Sequence, residues 1–136
     1  MGILIDSSVL IAIERKGTKV SSYVKGREEE KMFISVVSAS ELLHGVNRAK
    51  DPATKARRHA FVEAVLSAFP VLEIDLAIAR SHAQLWGAME ADGIMIGLHD
   101  SWLAATCLVY ELSIVTGNVN EFSRVPGLRV EEFVFG

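Results

Sequence analysis

The chain has 136 residues, of which 50% are hydrophobic and 23% are charged, with 14 basic and 17 acidic side chains and a net charge of −3. This apolar content excludes an intrinsically disordered chain, and the length fits a single domain over residues 1–136. The lone cysteine, Cys107, cannot form an internal disulfide, and the apolar runs are far shorter than the ~20 residues that cross a bilayer. We therefore expect a cytoplasmic protein with no membrane partner, and the acidic balance disfavours a protein that only coats nucleic acid.

In the first half of the chain, short apolar runs lead into polar helix starts. Residues 2–5 predict a buried strand that enters a helix at Asp6. A polar stretch over residues 14–31, partly helical, precedes a second strand predicted over residues 32–37. Ser38 followed by Glu41 matches a capping box and predicts the next helix start. The predicted buried side of the first helix consists of Val9, Leu10 and Ile13.

In the second half the same alternation continues. Pro52 suits the first turn of a helix that stops at Pro70, and residues 71–74 predict a third strand. One helix then ends before Gly93, another opens at Asp100, and strands follow over residues 113–115 and 128–130. The predicted apolar positions of these three helices are Phe61, Ala64, Val65, Ala68 and Phe69, then Ala79, Ala83, Trp86 and Met89, and then Leu103, Cys107 and Tyr110.

Strands that alternate with helices predict an α/β fold with a parallel sheet and helices on both faces. In such a sheet, ligands bind at the edge where the strands end. Asp6 follows the first strand, Glu41 lies about one helical turn beyond the second, and Asn118 follows the strand at 113–115. Asp100 starts the helix that leads into that strand, so it is expected at the same edge.

Three carboxylates gathered at one edge repel each other unless a cation is present. Oxygen ligands without His or Cys favour Mg²⁺ or Mn²⁺ over zinc, and such an ion suits the hydrolysis of a phosphodiester by activated water. The alternative is that Asp6, Glu41 and Asp100 are only helix N-terminal acids, which are common because they cap N–H groups and suit the helix dipole. Spacing alone leaves both interpretations open.

Four segments resemble the motifs of the PIN-domain ribonucleases. They are residues 3–11 (ILIDSSVLI), 38–46 (SASELLHGV), 99–106 (HDSWLAAT) and 114–118 (IVTGN), the last continued by 122–128 (FSRVPGL). In this order, and at this chain length, they are similar to the VapC-type toxins of toxin–antitoxin pairs. The resemblance covers nearly the whole chain and implies a three-layer α/β/α sandwich.

The resemblance also implies roles for individual residues. Asp6, Glu41 and Asp100 are then the catalytic acids that bind Mg²⁺ or Mn²⁺, with Ser8 and Thr116 as supporting hydroxyl or phosphate-contacting groups. The fourth catalytic position, often Asp in the family, is Asn118, whose neutral carboxamide leaves open whether one or two metal ions bind. Glu121 is a candidate to replace it through a water molecule, although a surface turn residue is the simpler interpretation.

The implied function is that of a metal-dependent endoribonuclease that hydrolyses RNA and acts as the toxin of a VapBC-type pair. Its implied partners are RNA, a cognate VapB-type antitoxin and a second copy of the chain. A catalytically idle PIN-like module that binds RNA or protein is the alternative. A phosphatase that uses Asp6 as a nucleophile is disfavoured, because haloacid-dehalogenase-like enzymes need a second Asp where this chain has Ser8.

The remaining candidates are surface or core residues. A basic stretch is either an RNA backbone contact or a solvated helix face; it consists of Arg48, Lys50, Lys55, Arg57 and Arg58. The four histidines have no zinc-site spacing. Trp86 and Cys107 are expected in the core, whereas Trp102, beside Asp100, is either a core residue or a base-stacking group.

Overall fold

A computed structural model describes residues 2–134. Met1 and residues 135–136, which the predicted domain includes, lie outside the described residues. The strands are β1 (Gly2–Ile5), β2 (Lys31–Ser35), β3 (Val71–Leu72), β4 (Leu112–Thr116) and β5 (Val130–Glu132). The helices are α1 (Ser7–Arg15), α2 (Val20–Val24), α3 (Val36–Arg48), α4 (Pro52–Ala68), α5 (Leu76–Ala91), α6 (Leu98–Tyr110) and α7 (Val119–Phe122).

The five strands form one parallel sheet in the order β3-β2-β1-β4-β5. β1 lies at the centre, where Ile5 pairs with Val115 of β4. Because the strands are parallel, the ends of β1, β2 and β4 lie along one edge of the sheet. The predicted α/β class and parallel sheet are confirmed.

Helices cover both faces of the sheet, as predicted. Successive side chains of β1 alternate between the faces, so Ile3 and Ile5 pack on one side and Leu4 on the other. The first face is covered by α1, α2, α3 and α4, and the second by α6 and α7. α5 packs on the outside of α6 through Leu85 and Met89. The molecule is therefore a three-layer α/β/α sandwich.

The junction between β2 and α3 differs from the prediction. The strand ends at Ser35, and Ser35 is the N-cap of α3, with its hydroxyl accepting a hydrogen bond from the Val37 N–H at 3.0 Å. The predicted capping box at Ser38 and Glu41 is wrong, because both residues lie inside the helix. The Ser38 hydroxyl is instead buried, and no partner for it is found among the described residues.

Three other boundaries are also shifted. β3 stops at Leu72 rather than at residue 74, because β2 has already ended at Ser35 and offers no further backbone partner. β5 begins at Val130, two residues later than predicted, because the Leu128 N–H bonds back to the Val125 carbonyl oxygen in a turn. α6 begins at Leu98, with Gly97 as N-cap, so Asp100 lies in its first turn rather than opening it.

The buried faces of the outer helices were predicted only in part. In α4, Val65 is buried as predicted. Val62 is also buried, whereas Ala64 and Ala68, which were predicted on the apolar face, are exposed. In α5, the buried side chains are Ile78, His82, Leu85 and Met89. Trp86 is therefore not a core residue and is 58% exposed, and Tyr110 at the end of α6 is 44% exposed.

The predictions for the inner helices are confirmed. Val9, Leu10 and Ile13 are buried on α1, and Leu103 and Cys107 are buried on α6. Within residues 2–134, no helix combines the length and hydropathy needed to cross a membrane.

Candidate active site

The centre of the candidate site is Asp6, the residue that follows β1. Its backbone N–H donates to the Val115 carbonyl oxygen at 2.9 Å, which extends the pairing between β1 and β4 by one bond. The residue is only 4% exposed. The sheet therefore fixes the backbone of Asp6 at the edge where the strands end.

Two hydroxyl groups fix the side chain of Asp6. The Ser8 Oγ and the Thr116 Oγ1 each donate to the same oxygen, Asp6 Oδ2, at 2.7 Å. The hydroxyl oxygens in turn accept from the backbone, Ser8 Oγ from Gly117 N–H at 3.1 Å and Thr116 Oγ1 from Asn118 N–H at 2.8 Å. These bonds join the ends of β1 and β4 and orient the buried carboxylate.

Asp6 occupies the N-cap position of α1, but its side chain makes no capping hydrogen bond. The interpretation of Asp6 as a helix cap is therefore wrong in this geometry. Among the described residues, its carboxylate accepts hydrogen bonds only from hydroxyl groups. One of these hydroxyl groups belongs to Thr116, which lies 110 residues away along the chain.

Glu41 lies in the second turn of α3 rather than at its start, so it cannot cap that helix. Its side chain is 30% exposed, and Oε2 lies 3.7 Å from Nδ1 of His99. Burial raises the pKa of Glu41, the facing His99 lowers it, and the charge of Asp6 raises it again. The Ser7 hydroxyl has a small lowering effect, and the net result is a raised pKa. Glu41 and Asp6 are therefore close enough to interact electrostatically.

Asp100 lies in the first turn of α6 and is half-buried. Burial, followed by the charges of Asp6, Glu121 and Glu41, raises its pKa to about 6, against the opposing effect of His99. The predicted acids that follow β1 and lie on α3 and α6 are thus found at one edge of the sheet, where the charges of Asp6 and Glu41 act on Asp100.

Glu121 also belongs to this group of acids. Its Oε1 accepts a hydrogen bond from the Gly97 N–H at 2.6 Å, which ties α7 to the start of α6. A Cβ placed on Gly97 would lie 3.6 Å from Asp100 Oδ2 and 3.7 Å from Glu121 Oε1. The interpretation of Glu121 as a simple surface turn residue is wrong, since its carboxylate faces Asp100.

Asn118 is exposed and is the N-cap residue of α7, but its side chain makes no capping bond. Its carboxamide makes no hydrogen bond to Asp6, Glu41 or Asp100 among the contacts found in residues 2–134. Its backbone N–H does belong to the network, through Thr116. The structure therefore places Asn118 beside the acids through its backbone.

The donor chemistry at this edge fits a hard divalent cation. The acids provide only oxygen ligands, and in the described part of the chain no Lys or Arg forms an ion pair with them. As placed, no three His, Cys, Asp or Glu side chains within residues 2–134 converge closely enough to hold a metal ion. The four acids lie at one edge of the sheet, and ligation would require the partly buried side chains of Glu41 and Asp100 to move closer to Asp6.

The start of α6 is held in place by α5. The His82 Nε2 lies 2.8 Å from the Ser101 Oγ, and the Ser101 hydroxyl donates to the Leu98 carbonyl oxygen at 2.6 Å. The Trp102 ring stacks on His82 with centroids 3.6 Å apart and an interplanar angle of 8°. Of the two alternatives for Trp102, this packing favours a structural one, in which it supports the turn that carries Asp100.

Comparison with known proteins agrees with this geometry. The family model described as PIN domain matches residues 3–128. "Ribonuclease VapC" of Rickettsia bellii is 33% identical over 130 residues, which cover 96% of this chain and 95% of the relative. The "tRNA(fMet)-specific endonuclease VapC" of Shigella flexneri is 35% identical over 103 residues, 76% of each chain.

Solved structures give the same result. A chain of DNA-bound VapBC from Salmonella typhimurium superimposes with a TM-score of 0.86 at 26% identity, over 97% of this chain and 98% of the other. A chain of VapBC2 from Rickettsia felis, bound to a promoter DNA fragment, gives a TM-score of 0.87 over 98% of this chain and 100% of the other. Because its sequence identity is only 22%, this match supports the fold alone. From its motifs, its sheet and these matches, the chain belongs to the PIN-domain family and, within it, to the VapC group.

Proposed function

We propose that this chain is a metal-dependent endoribonuclease that acts as the toxin of a VapBC-type toxin–antitoxin pair. Membership of the PIN-domain family supports a nuclease, and relatives named ribonuclease or endonuclease VapC support RNA as the substrate. The observation that carries the proposal is that Asp6, Glu41 and Asp100 lie at one sheet edge, and that none of the ion pairs found within residues 2–134 joins a Lys or Arg to them.

The proposed metal ligands are Asp6, Glu41 and Asp100, and the proposed ion is Mg²⁺ or Mn²⁺. PIN-domain nucleases are generally dependent on divalent metals. When bound, the ion supplies a Lewis acid for the phosphodiester and for the attacking water. Hydrolysis of this kind is expected to leave a 5′-phosphate and a 3′-hydroxyl on the RNA products.

The other site residues act around these three acids. Ser8 and Thr116 orient Asp6 through their bonds to Oδ2. Asn118 is proposed to offer its carbonyl oxygen to the substrate or to a water. Glu121, which faces Asp100, is proposed to add negative charge to the metal site without binding the ion directly. Either one or two ions are compatible with this donor set.

The proposed partners follow from the relatives. Solved neighbours are VapBC complexes from Salmonella typhimurium, Haemophilus influenzae and Mycobacterium tuberculosis, so we propose a VapB-type antitoxin as the partner of this chain. A homodimer and a cytoplasmic location are proposed on the same family grounds. A gene for a small DNA-binding protein directly upstream would support the pairing.

The test is incubation of the purified protein with total RNA, with and without Mg²⁺, followed by mapping of the cut ends. We expect cleavage that EDTA abolishes and Mg²⁺ or Mn²⁺ restores, with 5′-phosphate ends. Asp100→Asn should remove the activity, and Asp92→Asn, an exposed acid at the end of α5, serves as the matched control. RNA binding without cleavage under every metal condition would instead indicate the idle binding module.

A further inference from the structure

A groove between α1, α3 and α4 leads away from the acids. Its first part is a depression whose lining includes Glu41, Arg48, Arg58 and Arg15. A second depression, whose lining includes Arg57, continues from it, since Arg15 and Arg58 line both. One of the proposed metal ligands, Glu41, therefore forms the end of a groove lined by arginines.

The positive charge of this groove is largely uncompensated. Arg15 and Arg48 are exposed, and none of the four arginines takes part in the ion pairs found in residues 2–134. Arg58 donates to the Gly45 carbonyl oxygen at 3.3 Å, which holds its guanidinium over α3. Glu14 is the acid besides Glu41 in the lining of either depression. Four arginines and Lys16 against Glu14 and Glu41 make this a local cationic strip on a chain of net charge −3.

The spacing of the charges suits a nucleic acid strand. Glu41 and Arg48 lie seven residues apart on α3, which is two helical turns or about 10 Å along the axis. That distance spans a few nucleotides of a strand, since the charges of one strand in a duplex lie about 3.4 Å apart along the helix axis. Arg15 and Arg57 extend the strip further from the acids.

We propose that these four arginines, Arg15, Arg48, Arg57 and Arg58 (the arginine strip), bind the phosphate backbone of an RNA strand on one side of the cleaved bond. This inference rests on the proposed function. Arg binds phosphate oxygens in bidentate fashion, and such contacts set the position of the strand without reading its sequence. No aromatic residue lines either depression in the described chain, so base stacking does not contribute there. Target choice therefore comes from elsewhere on the molecule.

A structural role predicts a different result. Arg15 and Arg48 each lie in the last turn of a helix, where a cation stabilises the helix dipole. If that were their whole role, their removal would lower the unfolding temperature and leave RNA affinity unchanged. The two interpretations therefore differ in a measurable quantity.

The experiment compares Arg15→Gln/Arg48→Gln with Lys50→Gln/Lys55→Gln, which removes the same charge from two exposed residues outside both depressions. Arg58 is kept because of its bond to Gly45. Binding of a fluorescent single-stranded RNA is measured by anisotropy in EDTA, so no cleavage occurs, at salt concentrations of roughly 50 to 200 mM. Thermal unfolding of each variant confirms that it is folded.

We expect the arginine variant to bind RNA roughly ten- to thirtyfold more weakly at about 0.1 M salt, with the slope of log K against log salt reduced by about 1.4 for two lost contacts. The lysine variant should change affinity by less than about threefold. In cleavage assays with Mg²⁺, the arginine variant should raise KM and leave kcat nearly unchanged, because the lost contacts bind substrate and transition state alike.

Equal RNA affinity of both double variants would overturn the proposal. Binding of a polyglutamate peptide is measured as a second probe. If the arginine variant loses binding to this peptide but keeps its RNA affinity, the arginines form a docking site for an acidic protein segment, and the proposal is overturned as well. These failures are distinct from failure of the proposed function. If the arginine variant shows metal-dependent cleavage with an unaltered KM, the proposal for the arginine strip is wrong and the proposed nuclease function stands. If RNA binding depends on the arginines but no cleavage occurs, the proposed nuclease function is wrong and the proposal for the arginine strip stands.

Discussion

Three aspartates, Asp6, Asp51 and Asp75, occupy the N-cap positions of helices in two different regions of the molecule. At the exposed starts of α4 and α5, the side chains of Asp51 and Asp75 accept hydrogen bonds from the N–H groups of Thr54 and Ile78. At the buried edge of the sheet, Asp6 caps nothing and bonds to hydroxyl groups from α1 and β4. The same residue type at the same helix position thus caps a helix in one region and bonds to the hydroxyl groups of the candidate site in the other.

This difference shows how a structural acid can be told from a functional one. The carboxylates of Asp51 and Asp75 each accept from a backbone N–H three residues further along the chain, although Asp75 also accepts from the Tyr110 hydroxyl. The partners of Asp6 include Thr116, from the far end of the chain. An acid held by tertiary contacts and surrounded by other acids is poorly explained by helix stability alone.

The largest expected effect is that of Asp6→Asn. Loss of the central negative charge should reduce RNA cleavage on the order of 100-fold or more, because metal binding and charge stabilisation both depend on it. The Asn carbonyl can still accept from Ser8 and Thr116, so the unfolding temperature should stay the same or rise. Cleavage assays and thermal unfolding on the same sample measure both. Full activity in this variant would show that Asp6 is not a ligand.

Thr116→Val should have the next largest effect. The substitution keeps the shape of the side chain but removes the donor to Asp6 and the acceptor for the Asn118 N–H. We expect about a ten- to hundredfold loss of cleavage, as is typical when a group that orients a metal ligand is removed. Stability should fall by about 1–3 kcal/mol because buried polar groups lose partners.

The control for this variant is Thr116→Ser, which keeps the hydroxyl and should retain most of the activity. Equal loss in the Ser and Val variants would assign the effect to the missing methyl group and not to the hydrogen bonds.

Glu121→Gln should have a smaller effect on metal affinity. The amide oxygen can still accept from the Gly97 N–H, but the charge that faces Asp100 is lost. The Mg²⁺ concentration at half-maximal activity should rise severalfold, since a unit negative charge and a divalent cation ~7 Å apart attract by about 1.2 kcal/mol at the permittivity of water. Glu63→Gln, on the exposed side of α4, is the matched control. An unchanged Mg²⁺ requirement would place Glu121 outside the metal site.

Asp51→Ala should have the smallest effect on catalysis and a clear effect on stability. Loss of the cap of α4 should lower the unfolding temperature by a few degrees and leave cleavage unchanged. Asp51→Asn, which keeps a capping oxygen, should recover most of the stability. A drop in cleavage for the Ala variant alone would contradict the separation between capping and catalytic aspartates.

The pH dependence of this variant has a defined sign. Hydrogen bonds from Thr54 hold the pKa of Asp51 below its ordinary value of 3.8. The cap of the ionised carboxylate is therefore fully present above pH 3.8 and is lost as the pH falls through the lowered pKa. The stability difference between the parent and Asp51→Ala should shrink in this acidic range, as thermal unfolding at several pH values would show.

The inner elements were predictable because their sequence signals and their surroundings agree. The run from Gly2 to Ile5 is apolar throughout, as a central parallel strand requires, and the polar residue after it marks the edge. On α1, Val9, Leu10 and Ile13 share one helical face, and that face meets the sheet. The positions of Asp6 and Asp100 at the same edge followed from the alternation of strands and helices.

The outer helices were harder to predict because several faces could have been buried. In α5, Trp86 and His82 compete for the interior, and packing against α6 selected His82, which bonds to Ser101 and stacks on Trp102. Likewise, Ser38 with Glu41 matched a capping box, but the early end of β2 made Ser35 the cap. Local patterns leave such choices open because each alternative is locally acceptable.

By itself, the sequence determined the order of strands and helices, the parallel sheet and the edge at which the acids are found, because periodicity and helix-start residues act over a few neighbouring positions. The tertiary structure alone decided that Asp6 bonds to Thr116 rather than capping α1, that Glu121 faces Asp100, and that Arg15 joins Arg48 and Arg58 beside Glu41. These contacts join residues far apart in the chain, and their partners are defined only when the sheet and its helices have packed together.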